Sequence, residues 1–248
     1  MKTFSVLFTL VLFLSVNSVS MAQQRQESIR TNQRQVQIET MASPDIQLLF
    51  PESQAGVVYQ NNRAVERTLN YNVLLELFFY TDRRGQQVWI NPETADSIRI
   101  GEEVFHYVPG SGYFMAVAGE PSGRLYLQFV VDISTETVAV GAYGTADHSA
   151  SVDVVRVLPG GAEGDYASRT FSLENPSGQQ LQIMLKREDR YHFLKDGLPV
   201  DISNRRILQR NFSHHRSDLR TFLRRNSIDF DNREHMMSLA EFLVSLGE

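Results

Sequence analysis

SIRIGEEVFHYV, Ser97 to Val108, alternates Ile98 and Ile100 with Ser97 and Arg99, reverses at Gly101-Glu102, and resumes with Val104, Phe105, Tyr107 and Val108. Period two on both sides of a two-residue Gly-containing link predicts a β-hairpin. The same signature repeats outward from it. GVVYQNNRAVERTLNYN (Gly56–Asn72) predicts two strands turning at Asn61-Asn62. VLLELFFYTDRRGQQVWI (Val73–Ile90) predicts two more, turning at Asp82 to Gly85, and GYFMAVAGEPSGRLYLQFVVDI (Gly112–Ile133) a further pair, turning at Pro121 to Gly123. Strands rich in β-branched and aromatic residues suit a half-buried pleated surface. Sequential hairpins must then curl as a roll, barrel or sandwich to bury their apolar face.

Later segments are less regular. SVDVVRVL (Ser151–Leu158) predicts an edge strand between the small, Gly-containing stretches Thr145–Ser151 and Pro159–Asp165. SRTFSLENPSGQQLQIMLKREDRYHFLKDG (Ser168–Gly197) predicts two or three strands with turns at Asn175–Gly178 and at Glu188-Asp189. Near Leu198-Pro199 the period changes to that of a helix. Leu219, Phe222 and Leu223 form one apolar stripe, and Met236, Leu239, Phe242, Leu243 and Leu246 another. Ser213 is the expected cap of the first helix and Asp229 or Asp231 of the second. The short link predicts an αα-hairpin pinned by Ile228 and Phe230.

The expected fold is therefore mainly β (α+β): an antiparallel meander over 43–198 followed by a helical C-terminal module over 199–248. Residues 1–22 read as a signal peptide. Lys2 precedes the apolar run Phe4–Val16, and Ser20 and Ala22 stand at cleavage spacing. That run is shorter than the ~20 residues of a membrane-spanning helix, so no transmembrane span is expected after cleavage. Residues 23–42, rich in Gln and Arg, read as a disordered polar leader. The chain has no cysteine, which excludes a disulfide framework, a thiolate metal site and a lipoprotein anchor.

The formal charge is −5, unevenly distributed. Glu39 to Glu174 holds 18 acids and 8 bases, whereas Lys186 to Arg233 holds 12 bases and 7 acids. The overall balance argues against nucleic acid as partner. The basic end suggests internal docking or an anionic partner.

The motifs for chemistry are few. PGSGYF (Pro109–Phe114) lacks the spacing of a nucleophile elbow, and GGAEGD (Gly160–Asp165) leads to no helix and carries two acids, which exclude a phosphate cradle. The six histidines, His106, His148, His192, His214, His215 and His235, show no metal-ligand spacing. No catalytic, cofactor-binding or metal-binding residue is expected. Glu93, Asp96, Glu102 and Glu103 leave open an alternative, a hydrolase of an envelope polymer whose carboxylates converge in space. Arg216, Arg220 and Arg224 share one helical face and are candidate contacts for a partner, since guanidinium forks bind phosphate and carboxylate. A second alternative makes that face a site for lipid phosphate or nucleic acid. Within GAYGTADHSAS (Gly141–Ser151), Tyr143 and His148 are candidate loop contacts, Gly141 a bulge and Gly144 a strand end.

Five segments resemble a family of exported proteins of Bacteroidetes-type bacteria. They are SPDIQLLFPESQAGVVY (Ser43–Tyr59), LNYN (Leu69–Asn72), INPETADSIRIGEEVF (Ile90–Phe105), Gly141–Ser151 with its GAYG, and LRTFLRRNSIDFDNREHMMSLAEFL (Leu219–Leu243). DSI (Asp96–Ile98) also resembles the short O-glycosylation sequon of such bacteria. The resemblance implies a periplasmic or outer-envelope location and a non-enzymatic role. Together these features lead to the expectation of an exported scaffold or binding module for an envelope protein or glycan.

Overall fold

The computed structural model describes residues 25–137, 139–140, 146–147, 155–158, 170–175 and 179–247. Residues 1–22, expected as a signal peptide, and Gly141, Tyr143, Gly144 and His148 lie outside the described residues.

The meander forms as expected. Strands β3 (Gln54–Gln60) and β4 (Arg63–Asn72) turn through Asn61 and Asn62, both left-handed at φ 50° and 59°. That is the twist a two-residue hairpin needs. β5 (Leu77–Thr81) and β6 (Gln87–Trp89) follow. β7 (Ala95–Ile100) and β8 (Glu103–Val108) join through Gly101 at φ 60°. β9 (Gly112–Ala116) and β10 (Leu125–Thr137) complete this series. Val73–Glu76, expected as strand, is instead a buried turn between β4 and β5, closed by the Leu75 amide donating to Asn72 Oδ1 at 2.9 Å.

β15 (Leu181–Lys195) pairs with β10 over thirteen residues. The turn expected at Glu188-Asp189 does not exist. The charged run that suggested it alternates between the faces of a continuous strand, and on the outer one Glu188 pairs with Lys186 at 2.8 Å and Arg190 at 3.1 Å. Such partly exposed pairs contribute about 0–1 kcal/mol, so the opposite face must hold the strand. There Leu181, Ile183, Leu185, Tyr191 and Phe193 are buried. The chain reverses at Asp196-Gly197 into β16 (Leu198–Asp201), so the helical part starts later than 199.

The leader is not disordered where described. β1 (Gln26–Thr31) covers one edge of β15, and β2 (Gln35–Gln37) pairs with β14 (Thr170–Glu174). An edge strand tolerates polar composition because only Ile29 and Thr31 need to face inward, and both are buried. Val36 and Ile38 are fully buried. Ile38 opens the short helix α1 (Ile38–Met41), followed by α2 (Pro44–Gln47).

The main sheet is ordered β1-β15-β10-β9-β8-β7-β3-β4-β5-β6, with β16 beside β15. β11 (Ala139–Val140) pairs β12 (Ala146–Asp147), and β13 (Val155–Leu158) forms the expected edge beside β14. The main sheet is curled but not closed, which excludes the barrel. β4 and β8 are three strands apart, about 14 Å if flat. Yet Tyr71 and Phe105 ring centroids are 6.5 Å apart, and Phe78 lies 4.9 Å from Tyr113. The rings lean together inside the curl.

Helices α3 (Arg205–Asn211), α4 (Arg216–Asn226) and α5 (Arg233–Ser245) pack against that interior. Leu208, Phe212, Leu219, Leu223, Met236, Leu239 and Leu243 belong to the same core as Tyr71, Phe78 and Phe193. Ile228 and Phe230 pack against it from the link, as expected. The capping differs. A 3-10 turn at Ser213–His215 precedes α4, which has no side-chain cap, and Asn232 rather than an aspartate caps α5 by accepting from the His235 amide at 3.1 Å. Asp229 instead accepts the Asp231 amide within the link.

A second core gathers Ile29, Val36, Ile38, Ile46, Leu74, Leu173, Leu181, Ile183 and Leu185. LNYN bridges the segment before β3 to β4. Asn70 Nδ2 donates to the Phe50 carbonyl at 2.9 Å, and its Oδ1 accepts the Phe50 and Tyr71 amides at 3.2 and 2.8 Å. Replacing Asn70 with alanine leaves buried backbone groups unpaired. The expected loss is about 2–4 kcal/mol in denaturant unfolding; a loss under about 1 kcal/mol would remove Asn70 from this role.

Candidate functional site: a cationic helical face and a buried arginine

Arg216, Arg220 and Arg224 are all exposed on α4, as are Arg225 and, on α3, Arg205, Arg206 and Arg210. Leu219 and Leu223 point the other way, 0% and 6% exposed. The helix is thus fixed by its apolar stripe while its cationic face stays in solvent. Among the described residues no ion pair involves these seven arginines. Four residues of helix rise about 6 Å, so Arg216, Arg220 and Arg224 form a row about 12 Å long. The stripe is occupied by the core, so α4 cannot also insert it into a lipid layer. Among the described residues no helix is long and apolar enough to cross a membrane.

The four carboxylates considered for hydrolysis fall on different local features. Glu93 is exposed in the β6–β7 loop, its amide donating to Asn91 Oδ1 at 2.9 Å. Ala95 pairs with Gln60 and Ser97 with Tyr59, which leaves Asp96 as the exposed extra residue of a bulge. Glu102 is exposed in its turn, and Glu103 begins β8 half-buried. No hydrogen bond joins any two of them among the described residues. Burial raises the Glu103 pKa, with Arg233 opposing.

The histidines do not assemble either. No group of three His, Asp or Glu side chains placed to hold a metal occurs among the described residues. His192 is buried on the outer face of β15, with Nδ1 3.1 Å from the Arg190 carbonyl and its ring edge-on to Phe114. Burial lowers its pKa and that of His106. His235 Nδ1 accepts the Asp229 amide at 3.2 Å.

One charged residue was hidden by the misplaced turn. Arg187 has the same strand parity as Leu181, Ile183 and Leu185 and is 7% exposed. It sits where the two cores meet, opposite Val131, which packs against both. Its Nη1 donates to the Leu48 carbonyl at 3.0 Å, and its guanidinium lies 5.6 Å from the Phe129 ring centroid. Burial lowers its pKa; Asp189 opposes this, the Arg25 charge adds to it, and Tyr71 opposes it. Removing a guanidinium from water costs several kcal/mol. One carbonyl bond returns about 1.5–3 kcal/mol and a desolvated aromatic face about 2 kcal/mol, and Asp189 adds a nearby opposite charge. The signal in the sequence was the alternation Leu181-Ile183-Leu185-Arg187, read through rather than broken.

No family model matches the chain, and neither a curated protein nor a solved structure matches it significantly, so its functional reading rests on its own residues.

Two carboxylates, Glu120 buried and Glu103 half-buried, predict opposite pH behaviour. Burial alone would raise the Glu120 pKa, but its bonds from the Ser122 hydroxyl and the Ser122, Arg124 and Leu125 amides prevail and lower it. Its stabilisation is present above the unfolded carboxylate pKa and lost as pH falls through the folded one. Glu120→Gln should therefore lower Tm at pH 7, the deficit shrinking in acid. Glu103 is raised, so its favourable contribution is lost as pH rises, and Glu103→Gln should raise Tm at pH 7 but not near pH 3. Thermal melts across pH 3–8 check both; equal signs at pH 7 would contradict these environments.

Proposed function

We propose that this chain is an exported, non-enzymatic binding module of the cell envelope, and that the arginine row of α4, flanked by the arginines of α3, contacts an anionic envelope macromolecule. The supporting observation is the exposure of Arg216, Arg220 and Arg224 on a helix whose other face is locked into the sheet core. A rigid row of guanidiniums loses less freedom on binding than the same residues on a tail. The acidic body adds orientation. Its net negative charge disfavours a polyanion elsewhere on the chain relative to the helical end.

The test uses the folded mature chain and an immobilised sulfated polysaccharide, with neutral dextran as control. A cation beside an anionic surface is worth about 1 kcal/mol, so R216A/R220A/R224A should weaken retention about a hundredfold with Tm unchanged. Retention should also fall as salt rises. Equal retention of the triple variant, or retention on neutral dextran, would reject the arginine face as the contact.

A further inference from the structure

We propose that Arg187 and Arg25 together form a site for a small oxyanion, a carboxylate or a phosphate, where the two cores meet. The Arg187 amide donates to the Arg25 carbonyl at 2.8 Å, so the two residues are neighbours across the β1–β15 pairing. Arg25 shares the strand parity of the inward-facing Ile29 and Thr31. Both guanidiniums therefore come to the same side of the sheet. Each donates one bond to a carbonyl of the same short segment: Arg25 Nη1 to Asp45 at 2.9 Å, Arg187 Nη1 to Leu48 at 3.0 Å. These bonds bring both side chains to one short segment, and the Arg25 charge is felt at Arg187.

A guanidinium carries five N–H donors in a planar fork. One is used by a protein acceptor at each residue, and among the described residues neither arginine has an ion-pair partner. Arg187 is 7% exposed and Arg25 beside it half-buried, so an anion approaches the pair from the Arg25 side.

Capping of the α2 carbonyls accounts for one donor on each residue. It does not account for two like charges side by side at a partly desolvated position. An oxyanion accepts from both forks, relieves their repulsion and replaces the water lost by Arg187. The Phe129 face and the Leu48 carbonyl fix the Arg187 plane, while half-buried Arg25 closes from the rim. Asp189, on the same face and opposite Phe129, offsets part of the Arg187 charge, so the site takes an anion small enough to sit on the Arg25 side. This site is separate from the α4 arginine row and independent of that row's role.

Inorganic phosphate and acetate, each at low millimolar concentration, are the probes, with chloride at matched ionic strength as control. Thermal unfolding is measured for the wild type, Arg25→Gln, Arg187→Gln and R216A/R220A/R224A. A Tm rise of about 3 °C with phosphate, acetate or both is expected for the wild type and for the triple variant. The arm that responds identifies the ligand chemistry. The rise should shrink in Arg25→Gln and vanish in Arg187→Gln. If Arg187→Gln does not fold, Arg25→Gln alone decides. No anion-specific rise in the wild type, or a rise undiminished in Arg25→Gln, would overturn the site.

Discussion

The thirteen-residue pairing of β10 with β15 is the constraint on which the rest depends. Its faces are set by a period of two, so one register places Leu125, Leu127, Phe129, Tyr191 and Phe193 in the first core and Ile183 and Leu185 in the second. A slip by one residue would turn every one of them to the outside. One strand pair thus serves both cores. The N-terminal strand β1 and the hairpin strand β16 divide the far edge of β15 between them. The helices then cover the mouth of the curl, with Phe212 edge-on to Phe193 at 6.0 Å.

Much of this was legible. The hairpins of Gly56 to Ile133 followed from alternation and from turns with a conformational reason, such as Asn61-Asn62 and Gly101. The helical stripes were legible for the same cause, because apolar spacing reports the buried face directly. What failed was local polarity taken as evidence of a turn or of disorder. Glu188-Asp189 looked like a turn because its charges are adjacent in sequence, yet on a strand they separate onto two faces. Gln26 to Thr31 looked unstructured because an edge strand needs few apolar residues. Neither the curl of the sheet nor the union of helices and sheet in one core has a local signature. Both arise from contacts such as Tyr71 with Tyr113, distant in sequence.

The functional residues divide along the same line. The arginine row was visible as i, i+4, i+8 spacing on a surface helix. Arg187 was not, since its meaning depends on a strand continuing through Glu188-Asp189 and on two cores meeting beside it. The helical part does not stand apart as a docking arm. Its apolar stripes belong to the sheet core, which makes its cationic face a fixed feature of the body. A partner on that face would meet a prearranged surface, and its binding would leave the core unchanged.

Native-state amide hydrogen exchange tests that union most directly. If helices and sheet share one core, the amides of Met236–Leu243 on α5 and of Leu125–Phe129 on β10 should exchange through the same global opening, with matching free energies and matching response to denaturant. Exchange in α5 that is orders of magnitude faster than in β10, with its own shallow denaturant dependence, would show a separable helical module and contradict the account.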